Sequence, residues 1–324
     1  MAAKHLAILG AVLAVLGGAA FGQGAENFPG KTIRLLLPYP PGGGSDTIAR
    51  PLAQRLGENL KQQVVVDNRG GAGGSIGMEI AAKSPPDGYT IVFALTAQLA
   101  VNPSLYKKLP YDPVKDFEPI TLFATGPYIL IVHPSLPVES VKGLIALARA
   151  RPNQITYASA GNGSGAHLGT ELLNSMAGIK MIHVPYKGGG PALVDLLAGQ
   201  VQVLFATYAT SKPFIDNGRV RALGVSTATR LSGVNLPTIA EAGLPGYDAG
   251  VWYAFLAPAG TPRDIIAKLN VEIVRALNHP DMMSLLARGS IAPIGSTPEE
   301  LTKFMKSEIA KWAKVVKEAN VHVD

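Results

Sequence analysis

Three glycine-rich stretches of this chain are suited to hold an anion without any charged side chain, Gly42-Gly43-Gly44, Gly70-Gly71-Ala72-Gly73-Gly74 and Gly161-Asn162-Gly163-Ser164-Gly165, and Lys187-Gly188-Gly189-Gly190 is a fourth loop of the same character. Glycine lets the main chain turn tightly and lets a ligand approach the backbone. Where such a turn opens a helix, the first N–H groups have no partner inside the helix and carry its positive end, which suits a carboxylate. A single turn of this kind is an ordinary strand-to-helix connection. Several in one chain predict a shared anion-binding cleft.

The same loops do not support catalysis. Gly161-Asn162-Gly163-Ser164-Gly165-Ala166 satisfies the G-x-G-x-x-A dinucleotide pattern, but the next strand ends at Pro185-Tyr186-Lys187, with no acid to hold a ribose. Gly73-Gly74-Ser75-Ile76-Gly77 matches G-x-S-x-G, yet its serine lies well beyond the apolar strand at 64–66 and not on a sharp elbow. His133, His167 and His183 are candidate partners for such a serine, but a histidine beside a strand is more often structural. The chain has no cysteine, which removes disulfides, thiolate nucleophiles and cysteine metal sites together. No cofactor, no metal and no catalytic residue is expected. Asp46 reads as the N-cap of the helix that follows it, a helix whose early turns contain Pro51.

The elements that position these loops alternate. Short β-rich runs at 32–37, 64–66 and 89–95 are separated by amphipathic helical runs at 48–60 and 76–82. A second series has strands at 128–132, 155–158, 181–184, 201–205 and 221–225. Alternation of this kind gives parallel-type α/β sheets. Toward the C-terminus, Thr261-Pro262-Arg263-Asp264 and Thr297-Pro298-Glu299-Glu300 read as Thr N-caps before an N1 proline. Leu301, Phe304, Ile309, Trp312 and Val316 then form one apolar stripe that needs a sheet to lie on. No low-complexity linker separates the two series, so crossover strands are expected to join two domains.

The chain has 324 residues and a formal net charge of +6. Its basic residues are scattered and only 6% of residues are aromatic, which excludes a nucleic-acid surface and leaves a mild field attractive to small anions. Lys4 precedes an apolar run at 6–20, followed by small residues; this reads as a signal peptide at 1–25, cleaved after Gly22 or Ala25. The run is shorter than the roughly 20 residues a spanning helix needs, so an exported, periplasmic chain is expected.

The segments Pro38-Tyr39-Pro40-Pro41-Gly42-Gly43-Gly44-Ser45-Asp46, Asn68-Arg69-Gly70-Gly71-Ala72-Gly73-Gly74, Pro86-Asp87-Gly88-Tyr89-Thr90, His183-Val184-Pro185-Tyr186-Lys187-Gly188 and Ala257-Pro258-Ala259-Gly260-Thr261-Pro262 resemble the Bug family of receptors. These are extracytoplasmic substrate-binding proteins associated with tripartite tricarboxylate transporters. The resemblance implies a type II periplasmic-binding-protein fold: two α/β domains with a ligand cleft between them, joined by crossover strands. Domain 1 would comprise 26–125 plus 250–324, and domain 2 would comprise 126–249. It further implies that a ligand carboxylate is held by backbone amides and small hydroxyl groups. The matching positions are Pro40, Gly43, Gly44, Ser45, Asp46 and Gly74, with Thr96 and Gln98, from the first domain, and Ser159, Gly163, Ser164, Gly165, His167, Tyr186 and Lys187 from the second.

Members of the family often carry an aspartate directly after the phenylalanine of the strand ending at Phe205, where this chain has Ala206. An amino group would lose its counter-charge there. The expected ligand is therefore a di- or tricarboxylate or an aromatic acid, captured by domain closure. The expected partners are the membrane subunits of a tripartite tricarboxylate transporter, with the receptor itself a monomer. A sensory co-receptor feeding a signalling protein is the alternative output, and a secreted serine hydrolase a more remote one.

Overall fold

The computed structural model describes residues 28–228, 230–231 and 234–318, so the expected signal peptide lies outside the described residues. Two sheets organise the chain. The first is built from β1 (Ile33–Leu37), β2 (Val64–Asn68), β3 (Thr90–Leu95), β4 (Phe117–Gly126), β10 (Val251–Pro258) and β11 (Ala292–Pro293), in the order β11-β4-β10-β3-β1-β2. The second holds β5 (Tyr128–Val132), β6 (Thr156–Ser159), β7 (Ile182–Pro185), β8 (Val203–Thr207) and β9 (Arg221–Val225), in the order β7-β6-β8-β5-β9. In each sheet parallel pairs (β1 with β2 and β3; β6 with β7 and β8) adjoin antiparallel ones.

Continuous apolar strands such as β3, Thr-Ile-Val-Phe-Ala-Leu, are buried throughout because helices cover both faces of the sheet. On one face of the first sheet lie α1 (Gly44–Leu60), α8 (Arg263–Leu277) and α9 (Pro280–Arg288). The other face carries α2 (Ser75–Ala82), a π-helical turn at Ala97–Val101, α3 (Asn102–Leu105) and α10 (Pro298–Glu318). The second sheet sits between α4 (Val141–Ala150) and α5 (Gly165–Ala177) on one face and α6 (Gly189–Leu197) and α7 (Tyr208–Asp216) on the other.

Sequence and structure agree on the capping of α10. Thr297 N–H donates to Glu300 Oε2 at 2.9 Å and Glu300 N–H donates to Thr297 Oγ1 at 3.2 Å, a complete capping box. The earlier helix differs. Thr261 Oγ1 donates to the Pro258 carbonyl at 2.7 Å, and α8 starts one residue later, with Pro262 at the N-cap and no side-chain cap bond. Asp46 is likewise inside α1, not at its cap, because Gly43 already occupies that position. Strands β4 and β10 were not among the strands expected from periodicity.

Two connections join the sheets. Strand β4 passes through Pro127 into β5, and the chain returns over 226–250 into β10. The two connections are bonded to each other: Tyr128 N–H donates to Ser226 Oγ at 2.9 Å, Ser226 N–H to the Tyr128 carbonyl at 2.9 Å, and Ala249 N–H to the Ser226 carbonyl at 2.8 Å. Only these two stretches of chain cross between the sheets among the described residues.

Candidate functional site

A cavity of about 290 Å³ opens between the sheets. It lies at the strand ends that face helix N-termini, as expected for an open α/β sheet. Four helices begin on its wall: α1 through Gly43, Gly44 and Ser45; α5 through Ser164, Gly165 and Ala166; α6 through Gly188, Gly189 and Gly190; α7 through Thr207 and Thr210. In α1 the carbonyl of Gly43 is taken by Asp46 and Thr47 N–H groups, which leaves the amides of Gly44 and Ser45 at the open end of the helix. Ser164 caps α5 by accepting from His167 N–H at 3.3 Å. Among the described residues no Lys, Arg, Asp or Glu lines the cavity. Its remaining wall is apolar or phenolic: Leu95, Leu193, Leu204, Phe205, Phe214, Tyr39, Tyr128 and Tyr253.

The loops of the two sheets touch across this cavity. A Cβ built on Gly44 would lie 2.8 Å from Thr207 Oγ1, one on Gly188 would lie 2.7 Å from Pro40 Cγ, and one on Gly73 would lie 2.6 Å from the Asn162 carbonyl oxygen. Gly188 also has φ +134°, a backbone conformation in which any L side chain is strained. The glycines thus allow close approach of main chain to main chain, and Tyr106 Oη reaches across to the Asn162 carbonyl at 3.3 Å.

Of the residues singled out from sequence, Pro40, Gly43, Gly44, Ser45, Ser164, Gly165 and Ala206 line the cavity. The others do not line it: most lie behind the wall, and Lys187 is exposed outside it. Asp46 Oδ2 accepts from Gly42 N–H at 3.0 Å and Arg50 Nε at 2.9 Å, and Asp46 Oδ1 accepts from Asn68 Nδ2 at 3.1 Å. Burial raises the pKa of that carboxyl, and the bonds from Arg50, Gly42 and Asn68 more than reverse it, holding it below the usual range. Its observed role is to fold the first glycine loop. Thr96 Oγ1 accepts from Trp252 N–H at 2.8 Å. Gln98 Oε1 accepts from Leu95 N–H at 3.1 Å, while its Nε2 donates to Tyr39 Oη at 2.9 Å and to the Gly73 carbonyl at 2.7 Å, directly behind Gly74.

In the second sheet, His167 Nδ1 accepts from Gly163 N–H at 3.0 Å, and Ser159 Oγ lies 2.6 Å from His183 Nε2. Tyr186 donates to Asp195 Oδ2 at 2.6 Å, and burial together with that carboxylate pushes its phenol up to about 12. Lys187 is exposed outside the cavity. Sequence reasoning passed over Tyr39, Tyr128, Thr207, Phe214 and Tyr253. Tyr39 stood inside a quoted motif and Thr207 directly followed Ala206, whereas nothing local marks Tyr128 or Tyr253.

His167 and His183 stack with ring centroids 4.0 Å apart, and Tyr157 covers His183 at 4.8 Å while bonding to Glu171. Burial holds His167 down to about 3, with His183 adding to it, and burial holds His183 down to about 4. Both are neutral in the fold. A histidine whose folded pKa is depressed leaves the unfolded chain binding more protons below about 6.5, so stability is intact above that pH and drains as the pH falls toward 4. The expected slope is about 1.4 kcal/mol per pH unit for each ring. Urea denaturation of the wild type and of His183→Asn across pH 4–8 checks this; equal pH dependence in the two would contradict it.

Residues 48–321 match the model of the tripartite tricarboxylate transporter family receptor. The protein BugT of Bordetella pertussis is 39% identical over 317 residues, spanning 97% of this chain and 97% of that protein. Rpa4515 of R. palustris, solved with adipate, superposes with a TM-score of 0.88 at 39% identity, covering 91% of this chain and 99% of that chain. MatC (Rpa3494) from Rhodopseudomonas palustris, solved with bound malate, gives a TM-score of 0.85 at 32% identity, covering 89% and 100%. The family and these structural neighbours are binding proteins, not enzymes.

Proposed function

This chain belongs to the tripartite tricarboxylate transporter receptor family, and we propose that it is a periplasmic receptor that captures a small dicarboxylate free of amino groups. One observation carries this reading. Four helix N-termini converge on a cavity whose wall, among the described residues, offers no charged side chain of either sign. Each N-terminus acts as roughly half a positive charge, so carboxylates are stabilised there and an ammonium group finds no counter-ion. Ala206, where an acidic residue would provide one, faces the cavity with a methyl group. The apolar wall between the helix ends suits a carbon spacer, in keeping with the adipate and malate of the solved relatives.

The chain is proposed to be exported behind its 1–25 leader, to close domain 1 (26–125 plus 250–324) on domain 2 (126–249) by bending at Tyr128, Ser226 and Ala249, and to deliver its ligand to the membrane subunits of a tripartite tricarboxylate transporter. Thermal melts of ligand-stripped protein with succinate, glutarate, adipate, malate, citrate, terephthalate and glutamate test the site. Ligand at about 100 times Kd adds about 2.7 kcal/mol to native stability, a readily measured rise in Tm. Glutarate is expected to outperform glutamate; tighter binding of glutamate overturns the reading.

A further inference from the structure

Three tyrosines reach the cavity from widely separated parts of the chain: Tyr39 after β1, Tyr128 at the start of β5 and Tyr253 on β10. Their surroundings differ in one respect that matters. Tyr39 Oη accepts from Gln98 Nε2 at 2.9 Å, which leaves its proton free to be donated. Neither Tyr128 Oη nor Tyr253 Oη has a hydrogen-bond partner among the described residues, although Tyr253 is only 1% exposed. The buried side-chain polar atoms without a partner among the described residues are Asn102 Oδ1 and Asn174 Oδ1, so these two hydroxyls keep solvent access in the cavity and are free to donate to a ligand. By contrast Tyr247, also buried, donates to the Gly169 carbonyl at 2.7 Å.

Tyr128 occupies a special position. Its ring packs on Gly165, the first residue of α5, so closely that a Cβ there would overlap the phenol. Its main chain makes the bonds to Ser226 that tie the two inter-sheet connections together. In the second sheet it pairs with Thr207, the N-cap of α7.

We propose that the hydroxyls of Tyr128 and Tyr253 are specificity-determining donors that bind the second carboxylate of the ligand, Tyr128 doing so from the hinge itself. This inference rests on the dicarboxylate reading above. Burial pushes both phenols above their usual range, with Tyr39 nearby adding to it, so they remain protonated donors at any physiological pH. A carboxylate accepts from both hydroxyls, whereas a methyl group at the same place displaces water from them and offers no acceptor. The donor set therefore discriminates a diacid from a monoacid of equal length, and because Tyr128 is fixed to Ser226, its engagement by ligand is felt at the bend between the domains.

Isothermal titration calorimetry of the ligand-stripped full chain with adipate and with hexanoate, alongside ligand-free melts, tests this in the wild type, Tyr128→Phe, Tyr253→Phe and Tyr247→Phe. The first two variants are expected to weaken adipate by about tenfold or more, as for hydrogen bonds to a charged group. They should leave hexanoate binding unchanged and the ligand-free Tm close to that of the wild type, since neither hydroxyl holds a bond among the described residues. Tyr247→Phe should do the reverse, lowering Tm with adipate affinity intact. Wild-type adipate affinity in Tyr128→Phe and Tyr253→Phe, or equal loss of adipate and hexanoate, overturns the inference alone. Failure of the wild type to bind any dicarboxylate from succinate to suberate overturns the reading of the site and the inference with it.

Discussion

Gly44→Val is expected to weaken ligand binding about 10- to 100-fold while changing the unfolding of the ligand-free chain little. Gly44 is the first residue of α1 and has no positive φ, so a side chain there is compatible with the helix. The obstacle lies on the other domain. A Cβ alone would come within 2.8 Å of Thr207 Oγ1 and 3.3 Å of its Cγ2, and valine adds two methyl groups beyond that. Thr207 is not free to swing aside, because Oγ1 is 3.0 Å from Thr210 Oγ1 and its residue forms the N-cap of α7. Overpacking a well-fitted contact costs about 1–3 kcal/mol, and each 1.4 kcal/mol is tenfold in affinity. Under the proposed domain closure this contact forms as the two sheets come together, so the cost is expected to fall on closure. Thr207→Ala in the Gly44→Val background should recover part of the loss. Calorimetric titration with the ligand identified by the thermal screen decides it, and unchanged affinity in the single variant would show that the two loops do not approach when ligand is held.

Trp312→Ala should cost the largest amount of stability, about 3–5 kcal/mol for removal of a buried tryptophan. Trp312 is 1% exposed and sits under α10 with Leu301, Met305 and Val316. Its Nε1 donates to Glu308 Oε2 at 3.1 Å, and the same oxygen accepts from Trp252 Nε1 at 2.9 Å. The substitution leaves both a cavity and a half-buried carboxylate with one donor fewer, terms that add. Because Trp252 belongs to β10 of the first sheet, this one side chain ties the C-terminal helix to that sheet through Glu308, 56 residues from Trp252. Urea denaturation followed through the fluorescence of Trp252, the other of the chain's 2 tryptophans, measures the effect. A change below about 1 kcal/mol would contradict the packing of α10 on that sheet.

Much of this architecture was legible in the residues, and the parts that were not have a common cause. Helix starts and glycine turns are local: Thr297-Pro298-Glu299-Glu300 and the loops at 42–44 and 161–165 declare themselves within a few residues, because capping and positive φ are decided there. The strand alternation of both sheets is local in the same sense. The convergence of Tyr39, Tyr128 and Tyr253 is not, since it depends on β10 inserting between β3 and β4, a pairing set by the long return of the chain. Thr96 and Gln98 show the opposite failure. A polar residue at a strand end looks the same whether it faces a ligand or, as here, satisfies Trp252 N–H and Leu95 N–H behind the wall. Asp46 resembles a helix cap in sequence, yet it is enlisted three residues further in, because glycine had already begun the helix.

The cavity draws its positive character from the ends of four helices, and a peptide N–H is present whatever side chain stands at its position, proline excepted. Anchoring of the acid group is therefore shielded from most point substitutions, while positions such as Ala206, Leu193 and Phe214 are open to drift. A lineage built on such a frame can exchange one acid for another by single changes in the wall without passing through a form that has lost its grip on carboxylates. Diversification of ligand would then run ahead of any change in fold.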